Sequence, residues 1–371
     1  MPVPKTTEKI RYAVVGLGHI AQVAVLPAFA HAKRNSILAA LVSSDPEKLK
    51  QLSRRYRIKQ SYSYEQYEDC LKSGKIDAVY IALPNNMHDE YSIRAANAGV
   101  HVLCEKPMAV TEQQCLSMIR AARKNSVKLM IAYRLHFDEA NLKAVEIVKS
   151  GKLGDPRVFN SLFALQVKVG NIRTKAELGG GTLYDLGVYC INAARYLFKD
   201  EPLAAFAYSV ARKDRRFQEI DEMTAAVLRF PADRIANFTT SFGAADVASY
   251  EIVGTKGILR VDPAYEYAMP LKHHLTIDGK ITTRTFPRRD QFAPELLYFS
   301  DCIRKNIDPE PSGEDGLQDV RIVRALYRAA ETGRPVKLAP ARLKKRPGIK
   351  QLKRRPPVAK PRLIKVEGAS A

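Results

Sequence analysis

Short apolar runs alternate with longer segments of mixed polarity over the first third of the chain. Ile10–Val15, Ile37–Val42, Asp77–Ala82, His101–Cys104 and Lys128–Ala132 read as buried strands. Helices are expected between them over Ile20–Ala32, Pro46–Arg55, Tyr64–Lys72, Met87–Ala98 and Thr111–Asn125, two of them with start signals: Asp45-Pro46 as N-cap and first helical residue, and Thr111 with Gln114 as a capping box. Strand and helix alternating in this way predict a right-handed, doubly wound parallel sheet. From Arg157 the pattern changes. Leu203–Ala211, Met223–Phe230, Ile235–Phe242, Tyr250–Val253 and Gly257–Val261 are short alternating or apolar runs, which predict a large, mostly antiparallel open sheet. The expected boundaries are a short extension at 1–9, a first domain at 10–134, a second at 135–338 and a tail at 339–371.

Charge changes the picture only at the tail. The chain of 371 residues carries a net +21, and from Ala339 onward eleven Lys and Arg stand against the single Glu367, so ten of those charges lie in the tail. Its runs Arg342–Arg346 and Lys353–Pro357 are rich in proline and lack apolar periodicity, which predicts disorder. Such a segment is either a solvated, solubilising end or a site for polyanions such as nucleic acid, although it has no aromatic residues to stack bases. Five scattered cysteines without a CxxC pair are expected as reduced thiols, and neither they nor the histidines have metal-ligand spacing, so no metal is expected. No run approaches the roughly 18 to 20 apolar residues of a membrane span, and the extension has no apolar leader, which places the protein in the cytoplasm.

The first strand runs into Gly16-Leu17-Gly18-His19-Ile20-Ala21, the G-x-G-x-x-A form of the dinucleotide fingerprint. Gly16 allows the tight turn, Gly18 the approach of a pyrophosphate, and Ala21 close packing of helix on strand. The fold class is therefore α/β, a Rossmann doubly wound parallel sheet followed by an α/β domain with the open sheet. At the end of the second strand, where a carboxylate selects NAD, stand Ser43 and Ser44. Asp45 is expected to be taken up by helix capping, so the two hydroxyls and Lys48 form a nest for a 2′-phosphate, and the cofactor is NADP rather than NAD. The alternative leaves Lys48 on a solvated helix face and lets Asp45 reach the ribose. Tyr64 and the residues Leu83, Pro84 and Asn85 past the third run join the expected cofactor set, with capping as the other reading of Asn85.

Chemistry concentrates at Cys104-Glu105-Lys106-Pro107, at the mouth of the parallel sheet, and at Gly179-Gly180-Gly181-Thr182-Leu183-Tyr184-Asp185-Leu186-Gly187-Val188-Tyr189-Cys190. The three glycines are expected to let backbone approach a ligand. Asp185 and Tyr189 fall four apart on one helical face, either for catalysis or as a core tyrosine bonded to its neighbour.

With both stretches in view, the chain resembles the family of glucose-fructose oxidoreductase and inositol dehydrogenase (Gfo/Idh/MocA). It is most like the glucose-fructose oxidoreductase branch and the NADP-dependent D-xylose and dihydrodiol dehydrogenases. The likeness covers about Ile10 to Val336 and rests on YAVVGLG, ALVSS, KIDAVYIALPN, CEKPMA, AYR, LGGGTLYDLGVYCIN, GEDGLQDVR and AAETGRPV. It implies NADP as cofactor, contacted from Ser43, Lys48, Pro84, Asn85, His88, Glu105, Lys106 and Arg134, and a homodimer or homotetramer built through the second domain's sheet. It also implies oxidation of an aldose at C1, with tightly held cofactor and a second sugar as acceptor. Tyr189, where many members carry histidine, is expected as acid/base, Lys106 as its tuning cation and sugar anchor, and Asp185 as an acceptor for sugar hydroxyls. The altered segment Val167–Glu177 is expected to set sugar specificity. The reading from a different class is a catalytically inactive NADP or sugar sensor of the same fold.

Overall fold

The computed structural model describes residues 8–211, 213–341, 345–366 and 368. Residues 1–7 of the extension and Arg342, Leu343 and Lys344 of the basic tail lie outside the described residues. Among those described, the strands form two sheets and the chain divides into two compact units.

The first sheet contains β1 (Ile10–Val15), β2 (Ser36–Val42), β3 (Gln60–Tyr62), β4 (Ala78–Ile81), β5 (His101–Glu105) and β6 (Leu129–Ala132) in the order β3-β2-β1-β4-β5-β6, all parallel. The order reverses between β1 and β4, and it is outside the carboxyl ends at such a point that this fold binds ligands. Strands β1, β4, β5 and β6 are almost wholly buried because helices cover both faces, as the unbroken apolar runs require. The helices fall close to their expected places. Pro46–Tyr56 starts at its Asp45 cap, whereas Tyr67–Lys72 begins three residues later than expected.

The second sheet has nine strands: β7 (Pro156–Ala164), β8 (Ala204–Val210), β9 (Met223–Phe230), β10 (Arg234–Ser241), β11 (Val247–Gly254), β12 (Gly257–Val261), β13 (Leu271–Ile277), β14 (Lys280–Phe286) and β15 (Val336–Lys337). All pairings are antiparallel except β7 with β10. Residues alternate between buried and exposed along β9, so one face packs on the core and the other is open.

Two boundaries differ from the sequence reading. Residues Arg289–Leu317 belong to the first unit: helix Phe292–Arg304 bonds to the sheet through Ser300, whose Oγ lies 2.7 Å from Tyr12 Oη and 2.8 Å from Ser36 Oγ. The expected free tail is also folded in its described part, with Gln318–Leu352 belonging to the second unit and Lys353–Gly368 to the first. Arg346 pairs with Glu201 at 2.6 Å within the second unit, and Arg355 donates to the His31 carbonyl at 3.1 Å within the first. Composition alone reads such a segment as solvated; specific acceptors hold it, and those are invisible in a charge count.

The second unit also buries an ion network. Arg195, 1% exposed, pairs with Glu201 and Asp319, and Asp319 accepts from Asn192 Nδ2 at 2.9 Å. Among the described residues no helix is long and apolar enough to cross a membrane.

Candidate active site

In the first unit, the expected cofactor residues gather at the carboxyl ends of the parallel strands. Gly16 follows β1 with φ +91°, and a Cβ there would stand 2.4 Å from the Ala82 carbonyl oxygen, so both its conformation and its neighbour demand glycine. A Cβ on Gly18 would meet nothing within 4 Å, which leaves its backbone open to approach. His19 and Ile20 follow and are half-buried. The helical segment then opens with a π turn at Ala21–Val25 and ends at Ala28, shorter than the expected Ile20–Ala32.

Beyond β2, Ser43 is buried and its Oγ accepts from the Asp45 amide at 3.2 Å, while Ser44 is exposed and Lys48 half-buried. Asp45 Oδ1 accepts from the Glu47 and Lys48 amides at 2.9 and 3.1 Å, the expected cap. The Lys48 amide bond and the nearby Lys365 charge hold this carboxyl below its usual range. Tyr64 packs edge-on to Tyr91, with centroids 5.7 Å apart, and burial pushes its phenol up to about 12. Past β4, buried Leu83 and half-buried Pro84 lead into a 3-10 turn at Asn85–Met87. Neither asparagine caps the helix His88–Asn97, and Asn86 Oδ1 is buried without a hydrogen-bond partner among the described residues.

His88 does not fit its expected role. It is fully buried, with Nδ1 2.8 Å from the Pro107 carbonyl and Nε2 2.9 Å from the Leu83 carbonyl, so the chain itself occupies both ring nitrogens. Burial holds the imidazole below its ordinary value, and a neutral ring donates to only one of the two oxygens. The buried ring ties the segment after β4 to the segment after β5.

Lys106 is the first residue beyond β5 and is half-buried. Glu105 beside it is buried, accepting from Tyr80 Oη at 2.7 Å and from the Lys106 amide at 3.3 Å. Burial raises the Glu105 carboxyl, opposed by the Tyr80 bond and by the charges of Lys106 and Arg134. Arg134, 6% exposed, donates to Gln291 Oε1 at 2.5 Å and acts on Glu105 and Glu295. Glu295 was not legible as part of this cluster. It is fully buried with neither oxygen hydrogen-bonded among the described residues, and burial, with Glu105 adding, holds its carboxyl well above the usual range.

In the second unit, Gly180 and Gly181 are packed closely against their neighbours. A Cβ on Gly180 would stand 2.4 Å from the Arg173 carbonyl oxygen, and one on Gly181, at φ +124°, 2.4 Å from Tyr327 Oη. These contacts hold the segment around Arg173 against the helical start. Asp185 lies in a π turn, Leu183–Gly187, and Tyr189 in the helix Val188–Phe198 that continues it. Short π turns inside helices recur at functional sites.

Arg173 is the site residue that the sequence reading missed. Its Nε donates to Asp185 Oδ2 at 2.6 Å. Burial disfavours its charge, and Asp185 more than offsets this, with smaller contributions from Tyr267 and Tyr189, so the guanidinium is held above its ordinary value. Arg173 thus fixes the Asp185 carboxylate on the helical turn that precedes Tyr189. The Tyr189 ring packs against Phe163 and Tyr265, at centroid distances of 5.7 and 6.0 Å, and those two rings stack on each other at 5.2 Å. The available signal was the position of Arg173 inside the segment expected to set specificity.

Residues 10–133 match the model of the GFO_IDH_MocA oxidoreductase family with NAD-binding Rossmann fold, and residues 141–260 match the GFO/IDH/MocA C-terminal domain. The chain is 31% identical to the D-xylose 1-dehydrogenase [NADP(+)] of Haloarcula marismortui, over 90% of this chain and 94% of that one. It is 27% identical to a dTDP-3,4-didehydro-2,6-dideoxy-alpha-D-glucose 3-reductase of Saccharopolyspora spinosa, over 87% and 98% of the two chains. Among solved structures, an aldose-aldose oxidoreductase from Caulobacter crescentus complexed with glycerol is 38% identical with a TM-score of 0.85, covering 89% of this chain and all of that one.

Proposed function

Because the chain belongs to the Gfo/Idh/MocA oxidoreductase family, we propose that it is an NADP-dependent sugar oxidoreductase that moves a hydride between C1 of an aldose, of glucose or xylose type, and the nicotinamide. The observation that carries this reading is the Arg173–Asp185 pair beside Tyr189: a fixed carboxylate, a guanidinium and a phenol, the groups suited to hold adjacent sugar hydroxyls and exchange a proton with one of them.

The first unit fits the cofactor. Gly16 makes the tight turn and Gly18 leaves room for a pyrophosphate; Ser43, Ser44 and Lys48 offer two hydroxyls and a cation to a 2′-phosphate, with Asp45 engaged in its cap. When bound, NADP supplies the acceptor for the two electrons that leave C1. On the protein side, Tyr189 accepts the anomeric proton as the C1 carbonyl of a lactone forms. A phenol of reference pKa ~10 needs a cation to act as base at neutral pH. Lys106 is assigned that role, while Arg173 fixes Asp185 by its bond from Nε. Lys106, at the mouth of the parallel sheet, anchors a sugar hydroxyl, and Asp185 accepts from another.

The relative named as an aldose-aldose oxidoreductase supports extending the proposal to a second sugar that returns the cofactor to its oxidised form. Five buried, free cysteines suit a reducing compartment and support the cytoplasm. The open face of the second sheet supports a homo-oligomer.

The test is the absorbance of reduced nicotinamide after the purified protein meets glucose, xylose and related aldoses, with and without added NADP. Reduction by an aldose supports the proposal, and reversal by a second sugar supports its extension. Saturable NADP binding with no reduction across the panel leaves the sensor reading in its place.

A further inference from the structure

The basic C-terminal segment packs on the loops to which the cofactor proposal assigns the adenosine half of NADP. Gln22, 1% exposed, stands on the first turn after the glycine motif. Its Nε2 donates to the Leu17 carbonyl inside that motif at 3.0 Å and to the Ile364 carbonyl at 3.0 Å, while its Oε1 accepts from the Ile364 amide at 2.8 Å. One side-chain amide thus fastens the backbone of Ile364, itself 5% exposed, to the glycine loop. Two residues earlier the Arg362 carbonyl accepts from Arg55 Nη1 at 2.7 Å. The next residue, Lys365, sits at φ +47°, a left-handed backbone uncommon for a side chain of this size, and its Nζ lies 3.6 Å from Asp45 Oδ1. Its side chain is 60% exposed, so the ammonium is open to an approaching phosphate.

We infer that this segment is part of the cofactor site, and that Lys365 is a specificity-determining residue which, with Lys48, binds the 2′-phosphate of NADP. The geometry accounts for the oddest feature of the chain. A carboxylate at the end of β2 repels a 2′-phosphate; here Asp45 is neutralised from one side by its helix amides and from the other by Lys365. A basic run that looks like a solvated end in composition delivers one lysine to a fixed place because a buried glutamine holds the residue before it. The inference rests on the NADP reading above.

The test is isothermal titration of the full chain with NADP and with NAD, at low and high salt, for the wild type, Lys365→Gln and Lys365→Arg. Lys365→Gln is expected to weaken NADP about tenfold, with a smaller loss at high salt, to leave NAD unchanged, and to be rescued by Lys365→Arg. An equal loss for both dinucleotides, or no loss for either, overturns the assignment of Lys365 while leaving the NADP reading intact. A wild type that binds neither dinucleotide, or prefers NAD, overturns that reading and the inference with it. An unchanged melting temperature of the variant shows that any lost affinity comes from the site and not from unfolding.

Discussion

Arg173 and Asp185 are joined by a 2.6 Å bond from Nε to Oδ2, with their side chains 32% and 18% exposed. The pair explains why the glycines that precede Asp185 are needed: Gly180 lies against the Arg173 carbonyl, where no Cβ fits. It also gives Asp185 a partner that fixes its direction and leaves further acceptor capacity for a hydroxyl.

Replacing Arg173 by Met leaves Asp185 without the 2.6 Å partner that fixes its direction. We expect kcat/KM for the aldose to fall on the order of 10²-fold with NADP affinity unchanged, and Arg173→Lys to recover part of the loss. Steady-state kinetics of the two variants check this; unchanged kinetics would make the pair structural only.

Asp319 sits in the buried network with Arg195, which also holds Glu201. Asp319→Ala leaves the buried guanidinium with Glu201 alone and is expected to cost about 3 kcal/mol, read as a lower denaturation midpoint in urea. A shift of less than about 1 kcal/mol would refute a stabilising role for Asp319 in this network.

Glu295 gives stability a pH dependence of definite sign. Its folded carboxyl titrates above the unfolded value, so the folded state keeps a proton that the unfolded state releases. The contribution is complete below the unfolded carboxylate value of ~4.3 and is lost as pH rises toward the folded value, at up to about 1.4 kcal/mol per pH unit. Glu295→Gln, which cannot ionise, is expected to be more stable than wild type at alkaline pH, with the gap closing toward mildly acidic pH. Melting temperatures across that range decide it, and a constant gap contradicts it.

How far the sequence carries the fold depends on the length scale of the signal. Local signals held: the cap at Asp45, the strand ends that place Gly16, Ser43 and Lys106, and the alternation of β9 all depend on neighbouring residues. Contacts distant in sequence were not legible. Nothing in the spacing of Glu295 or Gln291 announces that they meet Glu105 or Arg134, and nothing in the tail's composition shows that Gln22 holds Ile364. His88 was misread for the same reason, since the two carbonyls that occupy its ring come from different loops. Arg173 lay in a segment already marked as unusual, but only the fold shows its carboxylate.

The open face of the second sheet carries a row in register across four strands: Leu162, Thr239, Ala225 and Tyr208. Leu162 is 40% and Tyr208 71% exposed, with Met223, Val227 and Ile235 also exposed, an apolar face of the kind that marks a protein interface. For the proposed homo-oligomer built through this face, Tyr208→Glu combined with Leu162→Lys is expected to give a folded monomer. Light scattering after size exclusion measures this, and an unaltered mass would move the interface elsewhere.

The proton transfer assigned to Tyr189 is the central claim, and Tyr189→Phe tests it with the least disturbance, because the ring and its contacts with Phe163 and Tyr265 are retained. Turnover of the aldose and the NADP dissociation constant should be measured on the same preparation. The account predicts a turnover lower by ~10²- to 10⁴-fold with cofactor affinity within about twofold of wild type. A variant that turns over as fast as wild type would contradict it, and the proton would then have to leave through another group.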